Sequence, residues 1–237
     1  KMLCWEIDPA TDPLAKCESP AKEAFIFTYR AANVPEFKKA GFKHVRYLPL
    51  ATDIKKRCRI ELTPDERAQY GVPVAFVGSS MRGQAERFST LFLGHYAQFL
   101  GGRPEHVEEA HSLLDELLAT QRQDFSEFKI PDLMRERAPG FLTAMRSRPD
   151  ADDPLILVGE IAAAEKRLRY VSELGAGAGI SVWGDDGWEA LAAPGVSYRG
   201  SAGHNIELTK IYNAAQINID VNRLYQTDII TMRVFDI

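Results

Sequence analysis

The chain has 237 residues, of which 45% are hydrophobic, which suffices for one large or two small domains with buried cores. Its formal net charge of −4 provides no broad basic field, so the composition argues against a nucleic-acid partner. No apolar run approaches the roughly 20 residues that span a bilayer, and we expect neither a membrane span nor a secretory signal.

The cysteines and histidines predict neither a disulfide framework nor a metal centre. Cys4, Cys17 and Cys58 are odd in number and widely spaced, which is typical of a reducing compartment and favours a cytoplasmic location. His106 and His111 stand five positions apart, one more than a zinc-binding helix requires, so they do not share a helix face. We therefore expect no metal and no resident cofactor.

The first 60 residues are typical of the end of an α/β domain. Apolar runs predict strands at 2–7, 24–28 and 44–48, with a short helix at 34–40 that Gly41 closes. Asp8 follows the first strand and is either a candidate general base for an acceptor hydroxyl or a turn aspartate before proline. We place a partial N-terminal α/β domain and its linker at residues 1–63.

A second domain is predicted at residues 64–237, and its first strand is the buried run Val74–Val77. The turn that follows contains Gly78, Ser79 and Arg82. It is either an ordinary strand-to-helix connection or a small-residue turn where phosphate approaches backbone N–H groups, with Arg82 as counter-charge.

The same turn has nearly the glycine spacing of a P-loop. Gln84 and Ala85, however, replace the lysine and the serine or threonine that would hold phosphate and magnesium. We therefore reject a nucleoside triphosphatase.

Residues 84–150 are predicted to form a helical insertion, because apolar residues recur there at helical spacing. Such stripes are usually core, although a partner-binding surface is the alternative. A long helix is predicted at 155–174, with Arg167 near its end, where a cation suits the helix dipole. The glycine-rich stretch 175–179 is interpreted as a flexible exit from that helix.

The remaining elements complete a repeating strand–helix pattern. Strands are predicted at 180–184, 196–200 and 217–221, a helix at 204–215, and a last helix that Thr227 or Asp228 caps. This order is typical of a parallel, doubly wound sheet, in which ligands bind where a strand ends and the next helix begins. Free N–H groups and the positive dipole end of a helix favour phosphate there.

The stretch Leu-Thr-Lys-Ile-Tyr-Asn-Ala-Ala-Gln-Ile-Asn-Ile, followed by Met-Arg-Val-Phe-Asp, carries a family resemblance. It resembles the C-terminal domain of CgeB-type (spore-maturation-protein-like) glycosyltransferases, which have the GT-B fold and are bacterial in type. The resemblance implies a Rossmann-like C-terminal domain with a helical insertion, a remnant of an N-terminal α/β domain, and further sequence upstream.

The resemblance also implies a set of donor-binding residues. Many transferases of this fold carry two glutamates separated by seven residues where this chain has Asp228 and Asp236. Asp228 would then lie near the sugar and act in catalysis, and Asp236 would lie near the ribose. The family also has a segment in which a strand is followed by Gly-Asp and then Trp, and this resemblance places Gly184 in the site. The loop that contains His204 and Asn205 would touch the nucleotide base.

Each of these residues also has a structural interpretation. Arg233 adds charge-assisted hydrogen bonds to a diphosphate if the last helix begins near Thr227. Otherwise Asp228 is a helix cap and Asp236 is a surface residue, and Asn205 or Ser201 caps the preceding helix.

The favoured function is a glycosyltransferase that moves a sugar from a nucleotide-diphosphate donor to an unknown acceptor, without an obligatory metal. The alternative from another class is a non-catalytic α/β domain whose helical insertion binds a protein partner. A third hypothesis is a sugar- or nucleotide-binding module without turnover.

Overall fold

A computed structural model describes residues 3–6, 23–148, 151–226 and 228–237. The chain divides into two compact units, the first formed by residues 1–53 with 226–236 and the second by residues 54–225 with Ile237. Both contain parallel sheets with helices, so the predicted α/β class with parallel strands is confirmed.

The first unit contains a three-stranded parallel sheet. Its strands β1 (Leu3–Glu6), β2 (Phe25–Thr28) and β3 (His44–Tyr47) pair in that order. Helix α1 (Asn33–Lys39) packs Phe37 into a small core with the buried side chains of β2 and β3. Gly41, with φ of 101°, follows this helix in the left-handed conformation that the sequence predicted.

The last helix begins later than predicted. It spans only Met232–Asp236, so the prediction that Thr227 or Asp228 caps it is wrong; Thr227 itself lies outside the described residues. Asp228 instead accepts hydrogen bonds from Arg30 Nε and the Ala32 N–H, both at 2.9 Å, in the loop after β2. These bonds attach the 228 segment to a distant part of the chain rather than to its own helix.

The second unit is built on a four-stranded parallel sheet. Its strands are β4 (Val74–Val77), β5 (Ile180–Trp183), β6 (Val196–Tyr198) and β7 (Ile217–Ile219). The spatial order β6-β5-β4-β7 means that the first two crossovers step one way from β4 and the last steps to its other side. This reversal places a topological switch point between β4 and β7.

Helices cover both faces of this sheet. On one face, α2 (Pro64–Tyr70) supplies Tyr70 to a core with Ala75, Trp183 and Ile211. Between β4 and β5 the chain forms a helical region with α3 (Arg82–Phe99), α4 (Pro104–Arg122), α5 (Ile130–Arg137), α6 (Pro139–Arg146) and the long α7 (Pro154–Ala178). Ile211 belongs to α8 (Glu207–Ala214).

Helix α7 is shared by two cores. Leu157, Val158 and Ile161 in its first half pack into the helical core, whereas Val171 in its second half packs on the sheet. The start of α3, at Met81, packs on Ala163 and Ala164. Later residues of α3 pack in the same core as the first half of α7, so the two helices run antiparallel. The helical region therefore extends beyond the carboxyl ends of the strands.

The end of α7 also differs from the prediction of a flexible exit at 175–179. The helix continues to Ala178, and only Gly179, with φ of 72°, leaves it. Gly175 is buried, and a Cβ there would lie 2.5 Å from Val196 Cγ2 and 3.0 Å from the Pro194 carbonyl oxygen. The glycines therefore allow close packing of the helix end on the start of β6. Arg167, expected near the helix end, lies in its middle.

Candidate functional site

Two turns lie side by side at the carboxyl edge of the second sheet. The β4 turn (residues 78–81) follows β4, and the β5 turn (residues 184–187) follows β5. They are adjacent because β4 and β5 are paired in parallel, and the Gly78 N–H continues the ladder with a 2.9 Å bond to the Trp183 carbonyl oxygen. Four predicted donor-site residues lie here or in the first turn of α3: Gly78, Ser79, Arg82 and Gly184.

Asp185 joins the two turns. Its carboxylate accepts hydrogen bonds from the Ser80 N–H at 2.9 Å, the Ser80 hydroxyl at 2.5 Å and the Gly187 N–H at 3.1 Å, and also from the Ser79 hydroxyl. Partial burial would raise the pKa of Asp185, but the hydrogen bonds from the two serines and Gly187 together lower it below its ordinary value of 3.8. The charged carboxylate is therefore part of the folded turn.

We expect Asp185→Asn to change how stability depends on pH. A lowered folded-state pKa means that the ionised carboxylate stabilises the fold above the ordinary value of 3.8, and that this contribution is lost as pH falls through the folded pKa. Urea unfolding of wild type and variant between about pH 2.5 and 6 measures the difference. Wild type should lose its advantage over Asp185→Asn toward the acid end; a constant difference would contradict this role.

A close backbone contact holds the two turns together. A Cβ on Gly184 would lie 2.1 Å from the Gly78 carbonyl oxygen, so only glycine fits there. The same carbonyl accepts a 2.7 Å bond from Trp188 Nε1, whose buried ring meets Phe76 edge-on at 5.5 Å. Gly184 is thus required by packing at this edge.

The β4 turn also shapes the start of α3. Met81 is buried with φ of 63°, an uncommon conformation for a side chain of this size. The Ser79 hydroxyl accepts from the Met81 N–H at 2.9 Å, and the Ser80 hydroxyl accepts from the Arg82 N–H at 3.2 Å. The turn's own serines thus satisfy the first donors of the helix.

The next backbone N–H groups in the first turn of α3 are those of Gly83 and Gln84. In an α-helix these N–H groups lie outside the intrahelical ladder, which here begins with Ala85 N–H bonding to the Met81 carbonyl. Gly83 is exposed, and a Cβ there would meet nothing within 4 Å. The Arg82 side chain is 44% exposed and forms a 3.8 Å ion pair with Glu86. This end of α3 can therefore receive an anion.

Arg167 lies on α7 and bridges the segments that follow β4 and β7, the two strands beside the switch point. Its Nη1 donates to the Ser79 carbonyl oxygen at 2.8 Å and its Nη2 donates to the Val221 carbonyl oxygen at 3.0 Å. The guanidinium also lies over the ring of Phe76, 5.7 Å from its centroid. A planar cation thus links the turn after β4 to the loop after β7.

His204 and Asn205 lie in the loop before α8 and are exposed. Their carbonyl oxygens accept bonds from the Arg57 guanidinium, at 2.5 and 3.3 Å. The prediction that Asn205 or Ser201 caps α8 is wrong, since Ile206 occupies the cap position and makes no side-chain bond. The carboxylate of Glu207 instead accepts the Gly203 N–H at 2.6 Å.

The other predicted site residues belong to the first unit. Asp228 contacts Arg30, and Asp236 accepts a hydrogen bond from the Thr52 hydroxyl. Arg233 is half-buried in the five-residue C-terminal helix. Asp8 lies outside the described residues. The sequence placed a diphosphate site at the start of a helix near Thr227, but the last helix begins at Met232.

The sequence analysis did not identify Asp185, Ser80 or Arg167 as residues of the candidate site at the carboxyl edge of the second sheet. One signal could have identified Asp185: it comes two residues after the end of β5, and in a doubly wound sheet ligands bind at the carboxyl ends of the strands. Ser80 and Arg167 carried no such signal.

Within the described ranges, no group of three or more His, Cys, Asp or Glu side chains is arranged to hold a metal ion. Among the same residues, no helix is both long and apolar enough to cross a membrane. No protein family, curated protein or solved structure matches the chain.

Proposed function

We propose that the protein is a GT-B-type glycosyltransferase and that residues 54–225 hold the nucleotide part of a nucleotide-diphosphate sugar. The observation that supports this most is the strand order β6-β5-β4-β7 with all strands parallel. In open α/β sheets, ligands bind in the crevice at the carboxyl ends of the strands where the order reverses. The β4 turn and Arg167 border that crevice, and the β5 turn lies on the other side of β4 at the same carboxyl edge of the sheet.

The diphosphate subsite is the first turn of α3. Arg82 offers a guanidinium, and the N–H groups of Gly83 and Gln84 lie outside the intrahelical ladder. A helix N-terminus stabilises a negative charge by about 0.3–1 kcal/mol at an exposed position, and a charge-assisted hydrogen bond adds about 1.5–3 kcal/mol. Asp185 accepts its hydrogen bonds from Ser79, Ser80 and Gly187, so the phosphates belong further along the chain, beside Gly83.

The ribose subsite is the β5 turn. Asp186 is exposed and follows β5, and its Oδ1 accepts a 3.2 Å bond from the Tyr198 hydroxyl. That bond orients the carboxylate and leaves Oδ2 to accept from a ribose hydroxyl, the usual role of an acid at this position. Sugar transfer itself and the catalytic role of Asp228 remain predictions from the family resemblance, and the catalytic role of Asp8 remains a prediction from its place after the first predicted strand.

Calorimetric titration with UDP, GDP and ADP tests this proposal. We expect one of them to bind, and Arg82→Ala to weaken that binding about tenfold, the effect of losing one charge-assisted bond. Arg87→Ala, on the same helix, is the matched control, because Arg87 lies over the Phe88 ring rather than at the turn. No binding by any of the three would contradict the proposal and favour the non-catalytic alternative.

A further inference from the structure

A basic segment (residues 55–59) at the start of the second unit lies outside the proposed nucleotide site. Its sequence is Lys-Lys-Arg-Cys-Arg, and its residues are exposed except for Arg57, which is half-buried. Asp53 and Glu61 flank it in the chain. Four cations against two carboxylates leave a local charge of +2, whereas the formal net charge of the chain is −4. The sign of the charge is therefore reversed locally on this surface.

The backbone of the basic segment is fixed on α8. The Thr209 hydroxyl donates to the Lys56 carbonyl oxygen at 2.9 Å. Asn213 Nδ2 donates to the Cys58 carbonyl oxygen at 3.1 Å, and Asn213 Oδ1 accepts from the Ile60 N–H at 3.1 Å. A partner therefore meets an ordered row of cations, and binding does not first have to order the chain.

Two exposed isoleucines adjoin these cations. Ile54, 77% exposed, directly precedes the basic segment, and Ile206, 67% exposed, directly follows Asn205. Arg57 connects the two places, because its guanidinium donates to the carbonyl oxygens of His204 and Asn205 at 2.5 and 3.3 Å. Among the large apolar residues that the structure describes in the second unit, these two isoleucines are the most exposed. Exposed apolar and basic side chains thus share one part of the surface.

This combination fits an anionic lipid surface. Cations are attracted to the charged headgroups, and exposed aliphatic side chains gain by entering the boundary with the acyl chains. Charges further away than about 8 Å are largely screened at physiological ionic strength, so the local +2 decides the attraction. Surfaces for single-stranded nucleic acid present aromatic side chains for stacking, and residues 54–60 contain none.

We propose that Ile54, Ile206 and the cations of the basic segment attach the second unit to a membrane surface that contains anionic phospholipid. Such attachment is peripheral and needs no helix that crosses the bilayer. It does not depend on nucleotide binding, so either property can fail without the other.

Co-sedimentation of the full chain with vesicles tests the attachment. We expect binding to vesicles of phosphatidylcholine with phosphatidylserine, weakened by added salt, and none to phosphatidylcholine alone. Lys55→Ala/Lys56→Ala should weaken binding about 25-fold, because each basic residue near an anionic surface strengthens it about fivefold. Lys38→Ala/Lys39→Ala removes the same charge from an exposed lysine pair on α1 and should bind as wild type does.

A fluorophore on Cys58 locates the contact. Cys58 is an exposed free thiol inside the basic segment, so a polarity-sensitive dye can be attached to it in a Cys4→Ser/Cys17→Ser background. Vesicles with phosphatidylserine should shift its emission to the blue, and phosphatidylcholine alone should not. Ile54→Ser should reduce both the shift and the sedimentation, whereas Val107→Ser, which changes an exposed apolar residue on α4, should reduce neither.

Three results would overturn this inference. One is no sedimentation that depends on phosphatidylserine. Another is sedimentation without a change in the Cys58 dye, or equal for both lysine double variants, since the protein would then bind through another surface. The third is tighter binding of a single-stranded oligonucleotide than of vesicles, lost in Lys55→Ala/Lys56→Ala, which would assign the basic segment to nucleic acid instead.

Discussion

Replacing Trp188 with alanine should lower the free energy of unfolding by about 3–5 kcal/mol, the range for truncating a buried aromatic side chain. Trp188 is 1% exposed, meets Phe76 in the sheet core and donates to the Gly78 carbonyl. The substitution therefore creates a cavity and removes the donor from the β4 turn. Equilibrium urea unfolding measures the loss.

Trp188→Phe separates the two effects. Phenylalanine keeps an aromatic ring beside Phe76 but cannot donate to Gly78, so we expect a loss of about 1–2 kcal/mol, mostly that of one buried hydrogen bond. If Trp188→Ala lost no more than Trp188→Phe, the buried ring would not support this edge of the sheet.

Gly184→Ala should destabilise the second unit by about 3 kcal/mol, the upper range for overpacking. The added Cβ would lie 2.1 Å from the Gly78 carbonyl oxygen and 2.8 Å from Trp188 Nε1. The nearest atom is backbone, so the β4 and β5 turns must separate to accommodate a methyl group. We therefore also expect nucleotide binding to weaken.

Gly94→Ala provides the matched control. Gly94 lies exposed in the middle of α3, and a Cβ there would meet nothing within 4 Å. Alanine is the better helix former, so this variant should gain about 0.5–1 kcal/mol. Equal effects of the two substitutions in thermal or urea unfolding would show that the contact between the turns is not tight.

The sequence predicted β4 and β5 well because both strands are buried apolar runs. Val74–Val77 was predicted with its observed bounds, and β5 with one residue too many. The turn residues Gly78, Ser79, Arg82 and Gly184 followed from their places directly after these strands or in the helix that follows.

Long-range contacts were beyond this reasoning. Asp228 looked like a helix cap from its neighbours, but its carboxylate bonds to Arg30, 198 positions away. Arg167 looked like a charge near a helix end, whereas it reaches the Ser79 carbonyl, 88 positions away. Asp185 contacts Ser80 across 105 positions. No local pattern encodes such pairings, because they depend on how distant elements pack.

Titrating the ¹⁵N-labelled protein with UDP, GDP and ADP, and following backbone amide signals by NMR, tests nucleotide binding at the strand ends most directly. At least one nucleotide should shift the amide signals of Gly83 and Gln84, together with those of the 184–187 turn. Shifts confined to other parts of the chain, or no shifts with any of the three, would contradict a nucleotide site at this edge.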